Sequence, residues 1–255
     1  MREIADGVIA VEMLIANAYL AKSGDSWVVV DTGVPGRGGK IAAAAQQYFG
    51  TDARPRAIVL THGHFDHAGS AQWLALLWKV PVFAPRLELP FLAGGRPYPP
   101  LDHTPPGFFS ALSRVFPSRT VNLAGLVQPF EELEGWETIE TPGHTPGHVS
   151  FFRRSDGVLL AGDAVTTMDL DSAAGTLFKR PRVCRPPVPA TTNWELARTS
   201  VQRIAELRPR IIAAGHGPPM QDAADELSRL AAGFPIPLRG RYVRQPVRAG
   251  ETGAP

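Results

Sequence analysis

One short run constrains this chain more than any other: His62-Gly63-His64-Phe65-Asp66-His67. Only seven of the 255 residues are His and 24 are Asp or Glu. The pattern His-x-His-x-Asp-His therefore arises by chance in fewer than roughly one in a thousand such chains. It follows Arg56–Leu60, which reads as a strand. Two apart on extended backbone, His62 and His64 point to the same side. Asp66 and His67, just past a bend, can face a second point nearby. Imidazole and carboxylate donors suit Zn, Mn or Fe, and one such loop can serve two metals.

Cysteine usage narrows the chemistry. The single cysteine, Cys184, excludes a disulfide framework and a Cys-based zinc cluster, so any metal here depends on His and carboxylates. Cys184 itself reads as an ordinary residue, with no base or helix N-terminus beside it to activate a thiol. A net charge of +2 lacks the basic field of nucleic-acid binders. All but four of the 26 basic residues are Arg, which reads as codon bias. The start, Met1-Arg2-Glu3-Ile4-Ala5-Asp6, carries acids where a signal peptide has bases, and no run reaches 18 apolar residues. The expectation is a cytoplasmic enzyme without a membrane span, as monomer or homodimer.

Along the chain, strands are expected at Val8–Met13, Ala18–Ala21 and Trp27–Val30, then a helix from Lys40 to Phe49. Ala68–Trp78 reads as a helix and Val80–Ala84 as a strand. The rhythm is that of α/β or layered α+β proteins. It breaks over about residues 86–131, which hold six prolines between Pro90 and Pro106 and one expected helix from Gly107 to Phe116. A loop this long reads as a lid-like insertion. Strands return at Glu137–Glu140, Val149–Arg153 and Val158–Ala161. Thr192 with Glu195 fits a capping box opening a helix that Pro209 stops. Ile211–Ala214 is a strand, and a helix follows near Ala223–Ala232. The expected layout is one domain over 1–235 and a polar tail over 236–255.

The later sequence offers more donors at strand ends. Thr141-Pro142-Gly143-His144-Thr145-Pro146-Gly147-His148, Ala161-Gly162-Asp163 and Gly215-His216 each follow an expected strand. Glycine neighbours let backbone approach closely. With these motifs the chain resembles the metallo-β-lactamase superfamily, in its glyoxalase II-like and lactonase-like branches, from about Val8 to Pro218. The resemblance implies an αββα four-layer sandwich with metals at one edge between the sheets. It implies that His62, His64 and His144 hold one divalent ion, that Asp66, His67 and His216 hold a second, and that Asp163 bridges them. Zinc is the first expectation, with Mn or Fe as alternatives. By the same resemblance Asp31 supports the metal-binding loop from outside, and His148 stands behind the ligands. His103, in the insertion, is read as a surface residue.

Such a site lowers the pKa of a shared water and yields hydroxide at neutral pH, with Asp66 accepting or shuttling the proton. The leading expectation is hydrolysis of an ester, lactone, thioester or amide carbonyl of a small molecule. The alternative is a mononuclear iron persulfide dioxygenase, since those proteins resemble the same scaffold and share the motif. A true β-lactamase or a phosphodiesterase fits less well. Substrate contacts are expected from the irregular stretches: Tyr98, Phe108 and Phe109, with Phe91 and Phe116, in the first, and Arg182, with Lys179, Arg180 and Arg185, in the second.

Overall fold

Apolar, β-branched runs near the N-terminus form a meander. In the computed structural model, which describes residues 1–115, 121–130 and 132–248, the chain divides into two compact units. The first comprises Met1–Pro97 and Arg119–Glu137. Its sheet holds β1 (Arg2–Ala5), β2 (Val8–Val11), β3 (Ala18–Ser23), β4 (Ser26–Val30), β5 (Ala57–Val59), β6 (Val82–Ala84) and β7 (Val127–Pro129), in sequential order. The first four strands pair antiparallel, and β4 to β7 pair parallel. Gly24, at φ +57°, turns β3 tightly into β4.

Parallel neighbours need crossovers. Helix α1 (Gly38–Phe49) links β4 to β5, and α2 (Phe65–Ala68) with α3 (Ala71–Trp78) links β5 to β6. The expected helix over 68–78 is thus two pieces. Ile41, Ala45, Leu74 and Trp78 bury one face against Val29, Ile58, Leu60 and Val82 in one apolar core. Trp27 stacks on Phe49 at 4.4 Å between ring centroids and meets Trp78 edge-on at 6.0 Å. The carboxyl ends of β4, β5 and β6 consequently share one sheet edge, the position at which parallel sheets place their sites.

The proline-rich stretch is distributed between the units. Residues 86–97, with α4 (Leu89–Leu92), and residues 121–130, with β7, build the first unit, while residues 98–115 belong to the second. Strand β7 continues the parallel order, because Pro129 is tolerated on an edge strand. Phe116 and Glu131 lie outside the described residues.

The second unit comprises Tyr98–Ser118 and Thr138–Pro255. Its sheet is formed by β8 (Glu137–Glu140), β9 (Val149–Arg153), β10 (Val158–Gly162), β11 (Ile211–Ala214) and β12 (Met220–Gln221), in the order β12-β11-β10-β9-β8. Strands β10 and β11 run parallel. Helices α5 (Phe108–Leu112), α6 (Ala173–Phe178), α7 (Trp194–Glu206), α8 (Ala224–Ala232) and α9 (Arg241–Arg244) complete it. Val201, Ile204 and Leu227 pack on Leu159 and Ile212.

Helix α7 is capped by Asn193, whose side chain accepts the Leu196 N–H at 3.0 Å. Thr192, expected at the cap, instead donates its N–H to Gly143 O (2.9 Å), and its hydroxyl lies 3.3 Å from the carbonyls of Gly143 and His144. Beyond Phe234 the chain is anchored. Tyr242 and Val247 join Val188 and Trp194 in a small apolar cluster, and the Tyr242 hydroxyl donates to Pro100 O at 2.6 Å. Residues 249–255, the end of the expected tail, lie outside the described residues. Among the described residues no helix is long and apolar enough to cross a membrane.

Candidate metal centre

In the first unit the motif leaves β5 extended and then turns. His64 has φ −62° and ψ 151°, and helix α2 begins at Phe65. Asp31 anchors the loop. It follows β4 in the left-handed region, φ +57°, a conformation that Asp tolerates better than most residues. Its Oδ1 accepts the Thr61 N–H at 2.9 Å. Its Oδ2 accepts the Thr61 hydroxyl and the His67 Nδ1–H, both at 2.8 Å.

These bonds decide the tautomers. The Thr61 hydroxyl spends its one proton on Asp31, so at 3.0 Å it accepts from His62 Nδ1. Both His62 and His67 therefore turn Nε2 lone pairs toward the site, the arrangement that outer carboxylates and hydroxyls impose on metal-binding imidazoles. His62 Nε2 lies 3.1 Å from His64 Nδ1, and the rings of His62 and His67 are 4.2 Å apart. His62, Asp66 and His67 are buried, and His64 is half-buried.

The second unit builds its donors from three strand ends. Asp163 follows β10 and is 2 % exposed. Its Oδ2 lies 3.4 Å from His144 Nε2 and 3.2 Å from His216 Nε2. His144 Nδ1 is 3.4 Å from the Thr191 hydroxyl, which donates to Pro187 O and therefore accepts from the imidazole. The carbonyl of His216 accepts from both the N–H (2.9 Å) and the hydroxyl (3.1 Å) of Thr167. Gly143, at φ +131°, allows the His144 turn to lie against α7, since a Cβ there would sit 2.6 Å from Ala197 Cα.

His148 has both ring nitrogens engaged away from that group. Its Nε2 accepts the Asp163 N–H at 2.8 Å. Its Nδ1 donates to Thr141 Oγ at 2.8 Å, because that hydroxyl passes its own proton to Ser150 (3.0 Å), and Ser150 donates to Ala161 O (2.9 Å). The chain of bonds fixes one tautomer and holds the backbone of Asp163.

The donor set fits divalent metal. A tetrahedral zinc with bonds of about 2.0–2.1 Å holds neighbouring donor atoms about 3.3 Å apart. The nitrogen–nitrogen and nitrogen–oxygen separations of 3.1–3.4 Å within each unit match that edge.

The expected substrate residues are scattered. Phe108 and Phe109 open α5, pinned by N–H donation to Asp171 O and Leu170 O, with the Phe108 ring partly exposed. Tyr98 is half-buried and Phe91 is buried in α4. Arg182 is exposed, 4.0 Å from Asp169. Arg180 lies over Phe178, and Lys179 ends α6. Arg185 is tied to Asp171 at 2.8 Å and to Pro235 O at 2.7 Å, a structural brace over Trp194. His103 Nδ1 donates to Ser113 Oγ at 2.9 Å, because that hydroxyl donates to Ser110 O. Burial pushes the Cys184 thiol up to about 12, aided by the Asp169 carboxylate, so it stays un-ionised.

Sequence reasoning missed Thr61, Thr141, Ser150 and Thr191, whose hydroxyls set ring orientations. Thr61 is legible in retrospect as a polar residue closing an apolar strand, whereas Thr141 follows the polar strand Glu137–Glu140 and carries no such signal. Thr191 carries no local signal. Glu88, fully buried in the turn after β6, was also missed. Its signal is a lone carboxylate inside Leu87-Glu88-Leu89-Pro90-Phe91-Leu92.

Known proteins similar to this chain fall in one superfamily. Residues 11–216 match the model of the metallo-beta-lactamase superfamily. The chain is 37% identical over 241 residues to a probable metallo-hydrolase, YflN, of Bacillus subtilis, covering 90% of this chain and 91% of that one. It is 28% identical over 128 residues to the hydroxyacylglutathione hydrolase GloC of Haemophilus influenzae, covering 50% of this chain and 58% of that protein. A metallo-beta-lactamase family protein from Thermus thermophilus superposes with a TM-score of 0.60 at 25% identity, covering 91% of this chain and 80% of that one. The two sheets with their helices match the sandwich fold of that structure.

Proposed function

The chain belongs to the metallo-β-lactamase superfamily and is a metallo-hydrolase, and on that premise we propose that it cleaves a small acyl compound at a dinuclear site. The observation that carries the reading is Asp163 Oδ2, one carboxylate oxygen at ligand-to-ligand distance from two imidazoles, His144 and His216. An oxygen so placed suits a bridging role between two ions. In this reading His62, His64 and His144 hold one divalent ion, Asp66, His67 and His216 hold the other, and Asp163 serves both. Zinc is the first candidate, with Mn or Fe as alternatives.

When bound, such ions supply Lewis acidity and a water acidic enough to attack a carbonyl near neutral pH. The chain's own residues do the rest. Asp31 and Thr61 hold His62 and His67 with Nε2 turned inward. His148 holds the backbone of Asp163. In this reading Asp66, in the first turn of α2, takes and returns the proton. Similarity to a hydroxyacylglutathione hydrolase favours thioesters among the ester, lactone, thioester and amide candidates.

The test is a panel of lactones, thioesters, β-lactams and phosphodiesters on protein of measured metal content. Hydrolysis of an acyl substrate is expected, lost by about a thousandfold or more, together with metal, in His62→Ala and Asp163→Ala. Full turnover in a metal-free variant overturns the reading, and oxygen uptake with a persulfide in place of hydrolysis replaces it with the dioxygenase alternative.

A further inference from the structure

Glu88 has no part in the ligand set, yet it reaches the middle of the metal-binding arm. Strands β5 and β6 are parallel partners, and their pairing continues to the bond from Leu60 N–H to Phe83 O at 2.9 Å. The two chains therefore leave the sheet side by side, one into Thr61-His62-Gly63-His64, the other into the tight turn Arg86–Glu88. That turn closes with Glu88 N–H donating to Pro85 O at 2.9 Å. It directs the Glu88 carboxyl inward, where Oε2 accepts the Gly63 N–H at 3.1 Å. The side chain is 0 % exposed.

Two features of this contact need a reason. The first is position. Gly63 is the residue between His62 and His64, so its peptide orientation sets whether His62 Nε2 and His64 Nδ1 stay 3.1 Å apart. The Nδ1 atoms of His62 and His67 are tied by Thr61 and Asp31, and Glu88 supplies the corresponding tie on the arm's backbone. The second is charge. Glu is among the residues least often buried, and an apolar side chain would fill the site at lower cost. A carboxylate buried next to incoming cations adds to their attraction.

We propose that Glu88 is a positioning residue for the metal-binding arm: it fixes the Gly63 peptide and lends the negative charge that strengthens binding at His62 and His64. This rests on reading those two residues as ligands. Support around metal ligands typically carries a 10- to 100-fold effect on affinity, roughly.

The test titrates Zn2+ alone into metal-free protein against a chromophoric chelator, with thermal unfolding of the same metal-free samples. Glu88→Gln keeps the shape and an acceptor for Gly63 but removes the charge. It is expected to bind Zn2+ about tenfold more weakly while its metal-free melting temperature is unchanged or higher. Glu88→Ala, lacking the acceptor as well, is expected to lose up to about a hundredfold. A role in packing alone moves the other way, lowering metal-free stability and leaving affinity in place. Wild-type affinity in Glu88→Gln overturns the inference, as does a loss of affinity matched by a loss of metal-free stability. If wild-type protein itself binds no Zn2+, the ligand reading fails and the inference falls with it. Tight wild-type binding with unaltered variants topples Glu88 alone.

Discussion

The two units build their donors in opposite ways. In the first, four donors lie within six consecutive residues, and one carboxylate, Asp31, ties that loop through three hydrogen bonds. In the second, His144, Asp163 and His216 leave three separate strand ends, and each is steadied by different neighbours: Thr191, His148 and Thr167. A covalently contiguous loop can share one principal anchor. Dispersed donors need a completed sheet and several weaker ones.

That contrast can be broken by mutation. Asp31→Ala has the largest expected effect, because it leaves the Thr61 N–H, the Thr61 hydroxyl and the His67 Nδ1–H unsatisfied in the interior. At about 1–3 kcal/mol for each buried group, reduced by relaxation, the loss is about 3–5 kcal/mol in urea unfolding. A loss near 1 kcal/mol means the loop is held elsewhere. Gly143→Ala strikes the second unit through backbone rather than charge. Its Cβ meets Ala197, and the left-handed φ is costly for any side chain, so about 2–4 kcal/mol is expected in the same measurement. Smaller still is Asn193→Ala, which removes the cap of α7 and costs about 1 kcal/mol. Thr192→Ala, if Thr192 is no cap, costs about half of that or less. If Thr192→Ala proves the costlier of the two, the contacts of Thr192 to the Gly143 and His144 carbonyls hold this turn more firmly than the Asn193 cap does.

The same contrast explains what was legible beforehand. The first unit's donors announce themselves as a dense motif, and Asp31 stands at the end of a plain apolar strand. In the second unit Asp163 and His216 are single residues after strands, recognisable as donors mainly through resemblance. Strand β7 was hidden because its three residues, Val127-Gln128-Pro129, carry no alternation and end in proline. Helix α6 and the anchored C-terminal segment were hidden for a similar reason. Tyr242 and Val247 sit among arginines, and their burial depends on Val188 and Trp194, some fifty residues earlier.

Glu88 shows the limit most clearly. Its chemistry is visible in sequence as a carboxylate in an apolar run, but its partner, Gly63, is 25 residues away. Nothing local points to that partner.

Sequence by itself determined which atoms are available as donors and how they are spaced, because backbone geometry over a few residues is set covalently. It also determined that the His62–His67 motif, Asp163 and His216 fall at the carboxyl ends of strands, since apolar runs precede them, whereas His144 follows the mostly polar strand Glu137–Glu140. Tertiary structure alone decided which ring nitrogen of His62, His67, His144 and His148 carries the proton. That choice depends on contacts such as Asp31 to His67 and Thr191 to His144, which span 36 and 47 residues. Only a folded sheet brings such pairs within hydrogen-bond range.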